Sequence, residues 1–124
     1  MQTAGILIYG YNRDDALVIK SFTDGMLGFP VLMTSASQRM DEKISDILKT
    51  TTEESFTDEA TKILMLIDFT EEQINAFLGN FPGKKGGLQR PIFCTLTKQN
   101  KDWPFGELVE HLNEEHRYWT SKKS

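Results

Sequence analysis

The feature that most restricts the fold is an internal correspondence. Residues 6–22 lie over residues 64–80 at an offset of 58 positions, apolar run on apolar run and polar turn on polar turn. In the first copy Ile6, Leu7, Ile8 and Tyr9 read as a buried strand, and Gly10 and Tyr11 lead out of it. Asn12 is then a good N-cap for a helix opening with Arg13, Asp14 and Asp15. In the second copy Leu64 to Ile67 form the strand and Asp68 and Phe69 end it. Thr70 followed by Glu71, Glu72 and Gln73 has the capping-box pattern, in which each side chain satisfies an orphaned amide of the first helical turn. The helix that follows carries Ile74, Phe77, Leu78 and Phe81 at spacings of three and four, and Val18, Phe22 and Met26 form the matching stripe of the first copy.

Each half continues alike. Second strands are expected over residues 30–35 and 91–96, both opened by a proline, at an offset of 61. Proline cannot donate to a ladder and suits a strand's first position. Two further helices follow, with Met40, Ile44, Ile47 and Leu48 as one stripe and Phe105, Leu108, Val109 and Leu112 as the other. Each half is therefore β-α-β-α, residues 5–49 and 63–119, within one domain of 124 residues. Between them residues 50–62 are polar and acidic, with only Phe56 and Ala60 to bury, and read as a solvated connector.

Strands alternating with helices imply an α/β fold with a small, mostly parallel four-stranded sheet and helices on both faces. Right-handed crossovers give the strand order 2-1-3-4. The competing arrangement is an α+β, ferredoxin-like sheet, because the connector is long enough to reverse the chain direction.

A net charge of −4 and a pI near 5.2 leave no basic face to replace phosphate counterions, so nucleic acid is not an expected partner. Ile6 to Tyr9 is too short, and lacks the basic start, for a signal peptide, and no stretch is long enough to cross a membrane. The single cysteine, Cys94, cannot form an internal disulfide, so the expected location is the cytoplasm.

In an open parallel sheet, ligands favour the crevice outside the strand ends where the order reverses, here between the first and third strands. That expectation groups Tyr11, Asn12, Asp68 and Thr70 as ligand-binding candidates. Phosphate is disfavoured there, because Asp14, Asp15, Glu71 and Glu72 already complement both helix dipoles. The same carboxylates, with Asp68 at a strand end and Thr97 and Lys98 after another strand, give a loose likeness to a phospho-acceptor receiver domain, without its fifth strand. His111 and His116 are five apart, whereas a helical metal pair needs three or four, and no metal or other cofactor is assigned. Cys94 reads as a small buried hydrophobe with no base near it in sequence. Gly83-Lys84-Lys85-Gly86-Gly87 lacks the glycine spacing and the Ser or Thr of a phosphate loop and reads as a solvated turn. Trp103, Tyr118 and Trp119 flank the last helix as covers for the core or anchors for a partner chain.

Residues 63–119 resemble a small bacterial family known as domain of unknown function 3783. The likeness rests on Phe69-Thr70-Glu71-Glu72, Thr95-Leu96-Thr97-Lys98-Gln99-Asn100, Trp103, Glu107-Leu108 and Glu114-Glu115-His116. It carries no reaction, cofactor or catalytic residue to transfer. It directs attention to Thr97, Asn100, Trp103, Glu115 and His116 as further ligand-binding candidates; the first half has Ser35 to Ser37 where the second has Thr95 to Asn100, so a site there would be asymmetric.

No nucleophile and base stand together in the sequence, and the expected function is a noncatalytic binding or regulatory module. Its expected partners are a second copy, through the edge strand of residues 91–97 or the C-terminal helix, or another protein. The alternative is a small enzyme or receiver-like phospho-acceptor using Asp68 with Asn12, Thr97 and Lys98.

Overall fold

A computed structural model describes the backbone of residues 4–49, 55–82 and 88–122, with side chains as far as residue 115. The first part of the connector, the Gly83 to Gly87 run and the side chains of His116, Tyr118 and Trp119 lie outside the described residues. The elements alternate as β1 (Gly5–Tyr9), α1 (Arg13–Leu27), β2 (Leu32–Ser35), α2 (Ile44–Lys49), β3 (Ile63–Ile67), α3 (Glu71–Asn80), β4 (Ile92–Thr95) and α4 (Phe105–Lys122). They form one four-stranded sheet in the order β2-β1-β3-β4, as the crossover argument predicts.

The pairs β1·β2 and β3·β4 are parallel, but the central pair β1·β3 is antiparallel. The connector is the cause. Glu59 N–H donates to Gly10 O at 3.0 Å, and Lys62 Nζ donates to the same oxygen at 2.8 Å. The chain is thus pinned against the turn that leaves β1, and β3 has to start where β1 ends. The described part of the connector, expected to be solvated, is a strap: Ser35 Oγ donates to Ser55 O at 2.5 Å, and Thr57 N–H donates to Ser37 Oγ at 3.2 Å.

Both faces of the sheet are covered, which is why its two central strands are apolar almost throughout. Ile6, Ile8, Leu64 and Leu66 pack on one side with Ala16 and Ile19 of α1 and Phe77 of α3. Leu7, Ile63 and Met65 pack on the other with Ile44 and Ile47 of α2 and Phe105 and Leu108 of α4. The first layer is aromatic: Phe77 meets Phe22, Phe69, Phe81 and Phe93 at centroid distances of 5.3, 5.8, 5.7 and 6.0 Å. One stripe needs correction. Val18 is 47% exposed, and α1 buries Ala16, Ile19 and Thr23 instead. Steps of four residues rotate by roughly 40° around a helix, so the row from Val18 reaches the sheet only at Phe22 and Met26.

Local signals place the helix ends. Asn12 accepts from Asp15 N–H at 2.9 Å, and Thr70 and Gln73 form the full capping box. Gly28, at φ 83°, closes α1 by donating to Asp24 O at 2.9 Å.

The two halves also hold each other by their loops on the α2/α4 face. Ile44 N–H donates to Trp103 O at 3.0 Å and Phe105 N–H to Glu42 O at 2.9 Å. Ser45 N–H donates to Lys101 O, and Gly106 N–H to Met40 O, both at 2.8 Å. Each of these bonds has its counterpart at an offset of 61, around the bridge Lys43↔Pro104. The amides that begin α2 and α4, which a helix leaves without internal partners, are satisfied by carbonyls of the opposite half. Because residues 40–43 serve this clasp, α2 begins only at Ile44.

Candidate functional site

The antiparallel centre dissolves the predicted crevice. Tyr9 pairs with Ile63 and Gly5 with Ile67, so the turn after β1 and the turn after β3 lie at opposite ends of the sheet. Tyr11 and Asn12, with Asp14 and Asp15, stand at one end, and Asp68 and Thr70 at the other. The receiver-like grouping of Asp68 with Asn12 is therefore not assembled. Tyr11 is buried and donates its hydroxyl to Gln89 O at 2.5 Å, and Asn12 serves as the cap of α1. Thr70 is occupied by its capping box. Asp68 is exposed in the left-handed region, at φ 58°, beside a hollow of about 310 Å³ lined also by Phe69, Ile74 and Thr95. At an offset of 58 it occupies the place of Gly10, which is also left-handed at φ 92°. Its role there is to turn the chain.

Thr97, Asn100, Trp103 and Glu115 do come together, around a cavity of about 180 Å³ that Cys94 and His111 also line. His116, the last of the group, has its side chain outside the described residues. The polar side-chain atoms of Thr97 and Asn100 are already engaged. Thr97 N–H donates to Asn100 Oδ1 at 2.9 Å, Asn100 N–H donates to Thr97 Oγ1 at 3.0 Å, and Asn100 Nδ2 donates to Thr95 O at 3.1 Å. This knot shapes the loop that supplies the Lys101 and Trp103 carbonyls to the clasp. Trp103 stacks on His111, ring centroids 4.8 Å apart. Burial pushes the Cys94 thiol up to about 12, which keeps it a thiol rather than a nucleophilic thiolate at neutral pH.

Another concavity lies where sequence reasoning places no site. A cavity of about 620 Å³ opens at the start of β3 and β4, lined by Thr61, Lys62, Leu78, Arg90, Phe93 and Asn113 among others. Composition puts Lys62 in the solvated connector, but only 8% of it is exposed. Its ammonium donates to Gly10 O at 2.8 Å and Glu59 O at 2.5 Å and meets the Asp58 carboxylate at 3.0 Å. It also stands 5.4 Å from the Tyr11 ring centroid. The sequence does hold a signal for this: at an offset of 58, Lys62 takes the place of Ala4, itself 3% exposed. Burial, followed by the Asp15 charge, raises the Tyr11 phenol far above its ordinary range, with Arg90 acting in the opposite direction.

Among the described residues no group of three or more His, Cys, Asp or Glu is placed to hold a metal ion, and no helix is long and apolar enough to cross a membrane. Comparison with curated proteins and with solved structures finds no match. Residues 62–119, from the start of β3 into α4, match the model of a family described as a domain of unknown function (DUF3783).

Proposed function

We propose that the chain is a noncatalytic binding module of the bacterial cytoplasm that associates with a second copy through the open edge of β4. The observation that carries this reading is the edge itself. Among the described residues β4 has a neighbour only in β3. Ile92 and Leu96 direct their amides to Lys62 O and Leu66 O, at 2.8 and 3.2 Å. The alternation of a strand then turns the main-chain groups of Phe93 and Thr95 outward, as a template for another strand. Asn100 takes up the Thr95 carbonyl, leaving the Thr95 N–H and the Phe93 groups for pairing. The noncatalytic part of the reading draws support from Asn12, Asp68, Thr70, Thr97 and Asn100, which serve as caps, a turn and a loop knot. The offsets of 58 and 61 in strand register and clasp support reading the halves as an internal repeat.

The test is sedimentation of the full chain beside Thr95→Pro, which removes one outward N–H and leaves the bonds to β3 in place. A dimer at tens of micromolar that becomes monomeric in the variant is the expected result. A monomeric parent chain, or a dimer that ignores the substitution, refutes edge association.

A further inference from the structure

We propose that the cavity at the start of β3 and β4 binds a small organic carboxylate with an apolar body, held by Arg90. The cavity shares Ile92 and Phe93 with β4, and its argument does not rest on association at that edge. Its volume, about 620 Å³, is that of a small-molecule site. Leu78, Pro91, Ile92 and Phe93 supply an apolar floor, and Thr61, Gln89, Arg90 and Asn113 supply polar groups.

The charge of the lining is one-sided. Among the described residues, the two charged residues that line it, Lys62 and Arg90, are cations, in a chain whose net charge is −4. The Lys62 ammonium is already consumed by two carbonyls and Asp58. Arg90 is differently placed. Its guanidinium lies over the Phe93 ring at 4.9 Å, and among the described residues no carboxylate comes within ion-pair distance of it. A contact with the ring offers the guanidinium no acceptor oxygen, and its N–H groups form the fork that a carboxylate fits with two parallel hydrogen bonds. One unneutralised guanidinium matches a monoanion, and the floor matches an aryl or alkyl body.

The experiment is a titration of the full chain followed by amide chemical shifts, with 3-phenylpropionate as probe and 3-phenylpropionamide as its uncharged counterpart. The acid is expected to saturate, with shifts centred on Thr61, Gln89, Ile92, Phe93 and Asn113, and the amide to bind at least about tenfold more weakly. Arg90→Gln should weaken the acid by about the same factor. Asn113→Asp sets a repelling carboxylate at the rim without touching Arg90, and should do likewise, so the result does not hang on one variant's folding. Equal binding of acid and amide, shifts centred elsewhere, or a response still linear at about 10 mM overturns the proposal.

Discussion

Replacing Gly10 by alanine measures how much one Cβ costs at the point where the halves are joined. Gly10 sits at φ 92°, and a Cβ there would fall inside the contact shell of the Thr61 carbonyl oxygen, 3.0 Å from Lys62 Cα and 3.1 Å from Lys62 Cγ. Its own carbonyl accepts from Glu59 N–H and Lys62 Nζ. The positive φ costs about 1–2 kcal/mol for a residue with a Cβ. Shifting Thr61 and Lys62 strains two hydrogen bonds, one of them from a buried ammonium, for about 1–3 kcal/mol more. A destabilisation of about 2–5 kcal/mol follows, a large share of a small domain's total. Two glycines serve as internal standards. Gly28, at φ 83° with open space within 4 Å of the place a Cβ would take, should lose about 1–2 kcal/mol on substitution by alanine. Gly25, within α1 and equally open, should gain about 0.5–1 kcal/mol. Urea unfolding of the three variants, with unchanged slopes, is the assay. If Gly10→Ala falls within about 1 kcal/mol of Gly28→Ala, the contact with Thr61 and Lys62 is not what constrains this turn.

Four further outcomes are expected. Lys62→Met keeps the volume but removes one of the two donors to the Gly10 carbonyl and the side-chain donor to the Glu59 carbonyl, and chemical denaturation should show a loss of about 1–3 kcal/mol. Asn100→Ala removes both side-chain bonds of the Thr97 knot and should cost about 2–3 kcal/mol, with amide exchange accelerating at Ile44 and Ser45, whose acceptors lie on that loop. The Tyr11 phenol has a folded pKa above its ordinary 10.0, so the stability it contributes is complete below pH 10 and lost as pH rises beyond it. Alkaline unfolding monitored by circular dichroism should shift upward in Tyr11→Phe relative to that variant's own neutral-pH stability. Asp68→Gly should stabilise by about 0.5–1 kcal/mol through relief of its left-handed backbone, read as a higher midpoint in thermal unfolding.

Sequence alone determined the elements and their order. Apolar runs of four or five residues, the Asn12 cap and the Thr70–Gln73 capping box are local matters, set by neighbours in the chain, and crossover handedness carried them to the strand order β2-β1-β3-β4. The resemblance of the second half to DUF3783 was also legible in its motifs. Tertiary structure alone decided the direction of β3 relative to β1, because that depends on where the connector is anchored, and the anchor is a buried ammonium reaching a carbonyl 52 residues away. From this single choice the rest follows. Tyr11 and Asn12 part from Asp68 and Thr70, while Thr97, Asn100, Trp103 and Glu115 meet around a loop whose polar groups largely satisfy one another. Lys62 and Arg90 become neighbours in the wall of one cavity although 28 positions separate them in the sequence. Periodicity records which face of an element is buried; it carries no record of which turn lies beside which, since that is fixed by contacts between residues far apart along the chain.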